Sequence, residues 1–210
     1  MLKRSLQRGQ RGDTLIEVLF AVTVFSLAVV MSLSIMNQGT AASLRSLQIT
    51  LVRQEIDSQA EALRFLNSAY VATYTTGYAP IAADASPAAE YYRIIQNIKA
   101  IGATSVSAFG STSAVCTQAP SGSFILNARS ARLQPYDVTK LIDASSYAQV
   151  VYKADGSLDT SQGLWIEAIR STPSGGTSYT DFHIRGCWGA PGTDVSMNLG
   201  TIVRLYDPTN

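Results

Sequence analysis

Between Leu15 and Met36 the chain reads LIEVLFAVTVFSLAVVMSLSIM, an apolar run in which Glu17 is the only ionisable residue. Nothing else in the sequence constrains the fold as strongly. About 20 apolar residues in a helix cross the hydrocarbon of a bilayer, and this run is long enough to do so. An ionised carboxylate at that depth costs roughly 2.5–3.5 kcal/mol on insertion scales. A plain anchor has no use for such a group. Glu17 therefore marks a functional site whose partner must be sought elsewhere.

Ahead of the run stand Lys3, Arg4, Arg8 and Arg11 with no acid, a leader that the positive-inside rule keeps in the cytoplasm. It closes on Gly12, and Asp13, Thr14, Leu15, Ile16, Glu17 and Val18 follow. These residues resemble the class III signal of type IV pilins and pseudopilins. In that family a membrane-embedded aspartyl prepilin peptidase cuts behind the glycine, and the glutamate becomes the fifth residue of the mature chain. Gly12, Thr14, Leu15, Ile16, Glu17 and Val18 match the pattern in residue type and spacing. Asp13 departs from it, standing where the family usually has Phe. The resemblance implies cleavage between Gly12 and Asp13, N-methylation at Asp13, and a new α-amine with a pKa of about 8. It also implies that Glu17 of one subunit pairs with the Asp13 amine of a neighbour. A buried pair of this kind serves to fix register more than to add net stability. The Asp13 carboxylate competes for the same amine.

Three other readings account for less of the sequence. A secretory signal has an apolar region of about 7–15 residues and a small-residue cleavage site. Thr40-Ala41-Ala42-Ser43 offers such a site, but the apolar run is longer and Glu17 is out of place. A simple signal anchor accounts for the length and leaves Gly12 and Glu17 unexplained. A buried helix of a soluble protein leaves the cationic leader unexplained.

At 210 residues the chain suits one anchored domain. Removing residues 1–12 takes four of 16 basic residues and none of 15 acids, leaving 12 against 15, a net of −3. That balance is not the basic profile of a nucleic-acid-binding domain. Cys116 and Cys187 both fall in the distal portion, outside the membrane on this reading. An oxidising location pairs them as a disulfide, closing a loop of about 70 residues for about 4 kcal/mol in the chain-entropy model. The alternative is two buried free thiols. No CxxC motif is present.

No proline occurs before Pro80, and Gly39 is the only glycine between Gly12 and Gly77. The pattern predicts a helix from about Thr14 to Tyr70, roughly 85 Å long at 1.5 Å per residue. The weak spot is Asn37-Gln38-Gly39-Thr40, where glycine costs up to about 1 kcal/mol. At 100° per residue Ile49, Val52, Ile56, Ala60, Leu63 and Tyr70 share one face, and Ser46, Thr50, Arg53, Asp57, Glu61 and Arg64 the other. Arg53 and Asp57 are spaced to pair. Residues 73–87 read as a loop, and Ala88–Ile101 as a short helix with Tyr92, Ile95, Ile98 and Ile101 inward. The stretch 102–123 reads as irregular. Candidate strands are Ser123–Asn127, Ala148–Lys153, Leu164–Arg170, Thr180–Cys187 and Thr201–Tyr206, with a hairpin at Asp155-Gly156. The expected fold is α+β: one antiparallel sheet of four or five strands on the amphipathic half-helix, a pilin-like layout. The expected segments are a leader (1–12), a transmembrane or filament-core helix (13–37), its amphipathic continuation (38–72) and a β-rich extracytoplasmic head (73–210).

No catalytic motif emerges. His183 is the only histidine and sits in a strand pattern, and no GxSxG elbow surrounds a serine. Asp155-Gly156-Ser157-Leu158-Asp159 lacks the spacing and closing Glu of an EF-hand. Arg129 and Arg132, near Tyr136, make a weak basic patch, while Trp165, Trp188 and ten tyrosines are mostly core candidates. No cofactor or metal is expected. The sequence reads as a minor type IV pilin, not an enzyme. The resemblance implies other pilins, the prepilin peptidase and the assembly platform protein as partners. It implies an initial single-pass location with the N-terminus in the cytoplasm, followed by incorporation into a filament serving adhesion, twitching motility or DNA uptake. The head, larger than a lean shaft subunit needs, and the TLIEVLFA start favour a minor subunit. A type II secretion or competence pseudopilin is the alternative within the same machinery. An unprocessed, membrane-anchored adhesin or lectin-like module is the alternative outside it.

Overall fold

The computed structural model describes residues 13–75, 85–101, 116, 119–173, 176–192 and 195–208. The leader with Gly12, most of the expected 73–87 loop and residues 102–115 lie outside them. Two helices, α1 (Asp13–Thr75) and α2 (Pro87–Ile101), precede eight strands. These are β1 (Ile125–Asn127), β2 (Arg132–Gln134), β3 (Leu141–Ile142), β4 (Gln149–Tyr152), β5 (Leu158–Gln162), β6 (Leu164–Ser171), β7 (Tyr179–Gly189) and β8 (Ser196–Tyr206). The architecture is α+β, and the chain divides into two compact units, Met1–Leu44 and Arg45–Asn210.

In the first unit α1 runs without a break through Gly39, the expected weak spot. Thr40 donates its hydroxyl to Asn37 O at 2.9 Å and Ser43 donates to Gly39 O at 2.9 Å, which keeps the local hydroxyls on the helix's own carbonyls.

In the second unit the expected face of α1 is the buried one. Val52, Ile56, Ala60 and Leu63 are buried and Ile49 and Tyr70 pack at its margin, whereas Thr50, Arg53, Asp57, Glu61 and Arg64 are exposed. The ion pair on the exposed face joins Arg64 to Glu61 at 2.6 Å, not Arg53 to Asp57. The three-residue spacing wins on that face.

Helix α2 is capped by Ser86, whose Oγ accepts from Ala89 N–H at 3.2 Å, with Pro87 at the first helical position. Its buried face carries Tyr91, Ile94 and Ile95, while Tyr92 is only half-buried, a rotation of about one residue from the expected face. The cause is Glu90. Its buried carboxylate accepts from Leu133 N–H at 2.6 Å and pairs with Arg93 and Arg132, turning that side of the helix toward β2. The side chains of Ile98 and Ile101 lie outside the described set.

The single antiparallel sheet expected from the sequence is instead three sheets. β1 and β2 form a two-stranded antiparallel ribbon. β3-β5-β4 form a mixed sheet in which β3 and β5 run parallel, and β6-β7-β8 form an antiparallel one. β2 and β3 are too short to show a period, at three and two residues. β5 reads LDTSQ, too polar to mark as a strand, and is held by the β4–β5 hairpin at Gly156. That hairpin was expected; Gly156 has φ of +81°, a conformation L-residues rarely adopt.

The largest sheet pairs continuously, eleven residues of β7 against eleven of β8. Thr180, Phe182, Ile184, Gly186 and Trp188 of β7 alternate inward. A Cβ at Gly186 would stand 2.8 Å from Val52 Cγ1, so the missing side chain lets β7 approach α1 closely. Cys116 and Cys187 form a disulfide with 5.4 Å between their Cα atoms, tying residue 116 to β7.

Candidate functional site

The apolar stretch of α1 sets the chemistry of the first unit. Leu15, Ile16, Phe20, Phe25, Val30, Ile35 and Met36 are each at least 65% exposed, so the face has no partner among the described residues. The helix is long and apolar enough to cross a membrane. Three of the hydroxyls in the apolar stretch are provided for locally. Thr23 donates to Phe20 O at 2.7 Å, Ser26 to Val22 O at 2.7 Å and Ser32 to Ala28 O at 2.8 Å. In lipid, such back-bonding is how a hydroxyl avoids an unsatisfied donor. Glu17 is not provided for in this way. It lies one helical turn after Asp13, and its carboxylate has no hydrogen bond or ion pair among the described residues. Thr14, Leu15, Ile16 and Val18 surround it in the first turns of α1, while Gly12 lies outside the described residues.

The second unit carries the remaining candidate groups. His183 stands directly opposite Glu167 of β6 and Ile202 of β8. Burial holds its pKa below the ordinary 6.5, Arg185 adds to the effect, and Asp181 and Glu167 oppose it. Glu167 is buried, accepting from Trp165 Nε1 at 2.8 Å with Arg185 Nε at 3.8 Å. These contacts hold a sheet face together.

Arg129 is exposed and lies 4.1 Å above the Tyr152 ring, while Arg132 bonds Glu90 at 3.3 Å and Ala85 O at 3.1 Å. Trp165 and Trp188 are buried, and Trp188 donates Nε1 to Gln48 at 3.1 Å. They form no exposed platform. Asp155 accepts from the Ser157 N–H at 2.9 Å and hydroxyl at 2.6 Å, which closes a turn. Among the described residues no group of three His, Cys, Asp or Glu is placed to hold a metal ion.

Comparison with protein-family models, with curated protein sequences and with solved structures finds no match in any of the three.

Proposed function

We propose that this chain is a minor type IV pilin-like subunit, cut behind Gly12 and drawn from the membrane into a filament. The observation that carries the reading is Glu17. It is the single ionisable residue of the exposed apolar run between Leu15 and Met36, placed five residues behind a glycine that ends a cationic leader. The exposed apolar face is covered first by lipid and then by the helices of other subunits. Glu17 then meets the α-amine that cleavage creates at Asp13 of a neighbour, so each charge in the apolar layer gains a partner. The N-terminus begins in the cytoplasm, and the β-bearing unit projects outward. Its role is assembly, with other pilins, the prepilin peptidase and the platform protein as partners. A secretion or competence pseudopilin would use the same residues in the same way.

Replacing Glu17 with Val tests this. The variant is expected to insert in the membrane at wild-type levels and to be depleted from sheared filaments at least about tenfold, the equivalent of 1.4 kcal/mol. Equal incorporation would contradict the pairing.

A further inference from the structure

Strand β8 forms one side of its sheet, and among the described residues nothing pairs with its outer edge. The direction of its backbone groups follows from the ladder. Asp207 N–H donates to Ser178 O at 2.8 Å, one pair beyond Tyr206 and Tyr179. Hydrogen-bonded and non-hydrogen-bonded pairs alternate along an antiparallel ladder. Odd-numbered residues of β8 therefore bond β7, and the even ones turn the other way. Cys187 N–H donating to Gly163 O at 2.7 Å on the opposite side of β7 fits the same parity. The N–H and C=O groups of Asn198, Gly200, Ile202, Arg204 and Tyr206 thus point along the free edge, and all five residues are exposed.

Sheet edges are commonly blunted by proline, lysine, a bulge or a short strand. β8 has none of these: its sequence SMNLGTIVRLY holds no proline or lysine, and its register with β7 is unbroken over eleven pairs. Its one charge, Arg204, is drawn across the sheet face. The guanidinium bonds both Asp181 oxygens at 2.7 and 2.8 Å and lies 4.0 Å over the Tyr179 ring.

Beside the edge lies a groove of about 610 Å³ between β8 and α1, with Val71, Tyr74 and Leu205 as apolar walls and Asn67 and Thr177 as polar ones. The charged groups at its rim are neutralised in pairs, Arg204 by Asp181 and Asp207 by Arg170. A strand laid along β8 would turn alternate side chains toward this groove. We infer that β8 is a strand-addition site for an extended, uncharged peptide segment of a partner protein. Main-chain bonds to Asn198, Gly200, Ile202, Arg204 and Tyr206 hold it, and one apolar side chain enters the α1–β8 groove. The neutral rim selects against a charged segment. This site does not depend on the processing of the N-terminus.

The test is a phage-displayed library of uncharged, proline-free peptides selected on the full-length protein in detergent micelles. Selected peptides should slow amide exchange at the five edge residues and weaken at least about tenfold when alternate peptide amides are N-methylated. Ile202→Pro should abolish binding with the fold intact, because the N–H it removes faces away from β7. If it lowers the melting temperature of the head, Ile202→Lys, at a side chain that is 60% exposed, takes its place. Failure to select any peptide would overturn the inference. So would undiminished binding to the edge variants, or a dimer through β8 that peptide does not dissociate.

Discussion

The side-chain amide of Gln59 clasps the backbone of Leu126: Oε1 accepts from Leu126 N–H at 3.0 Å, and Nε2 donates to Leu126 O at 2.8 Å. Both residues are fully buried. This two-way bond joins α1 to β1 where no water can substitute. Gln59→Met keeps the volume and orphans both backbone groups, each costing about 1–3 kcal/mol. Chemical denaturation should show a loss of about 2 kcal/mol or more, and an unchanged midpoint would contradict the finding.

Two glycines predict opposite outcomes. A Cβ at Gly186 would press on Val52 at 2.8 Å and Ala148 at 3.2 Å, so Gly186→Ala should destabilise the head by about 1–3 kcal/mol through overpacking. A Cβ at Gly39 meets nothing within 4 Å, so Gly39→Ala should strengthen α1 by up to about 1 kcal/mol. Thermal melts of the two variants check the contrast in sign.

Periodicity revealed α1 and its buried face, because Val52, Ile56, Ala60 and Leu63 recur at helical spacing over many turns. It revealed the inward residues of β7 for the same reason, with period two. It missed Gln59 and Gln48, polar residues within the apolar face whose partners Leu126 and Trp188 are distant in sequence. No local pattern encodes such a pairing. The division into three sheets was also hidden, since β2 and β3 exist only through their partners and β5 is polar. Glu17 was legible for the opposite reason: a lone charge in an apolar run needs no tertiary context to stand out.

Removing the disulfide should destabilise the second unit. It spans 71 residues of sequence, and a loop of that size contributes about 4 kcal/mol in the chain-entropy model. A Cys116→Ser, Cys187→Ser double variant should melt several degrees lower, and the same melting temperature would contradict the estimate.

Acidification should weaken the head through His183. Burial and Arg185 lower its pKa in the fold, against the pull of Asp181 and Glu167, so the folded state favours the neutral ring. The stability this contributes is fully present above the unfolded value of 6.5 and is lost as pH falls through the lower folded one. His183→Gln should flatten the decline in melting temperature below pH about 6.5. An identical slope in the variant would remove His183 as its source.

The central claim is that an acid persists in the apolar helix because trimming creates its counter-charge. Mass spectrometry of the N-terminal peptide from the protein in its native cells tests this most directly. The account predicts a mature chain beginning at Asp13, with or without a methyl group on the amine. A chain that still begins at Met1, leader intact, would contradict it.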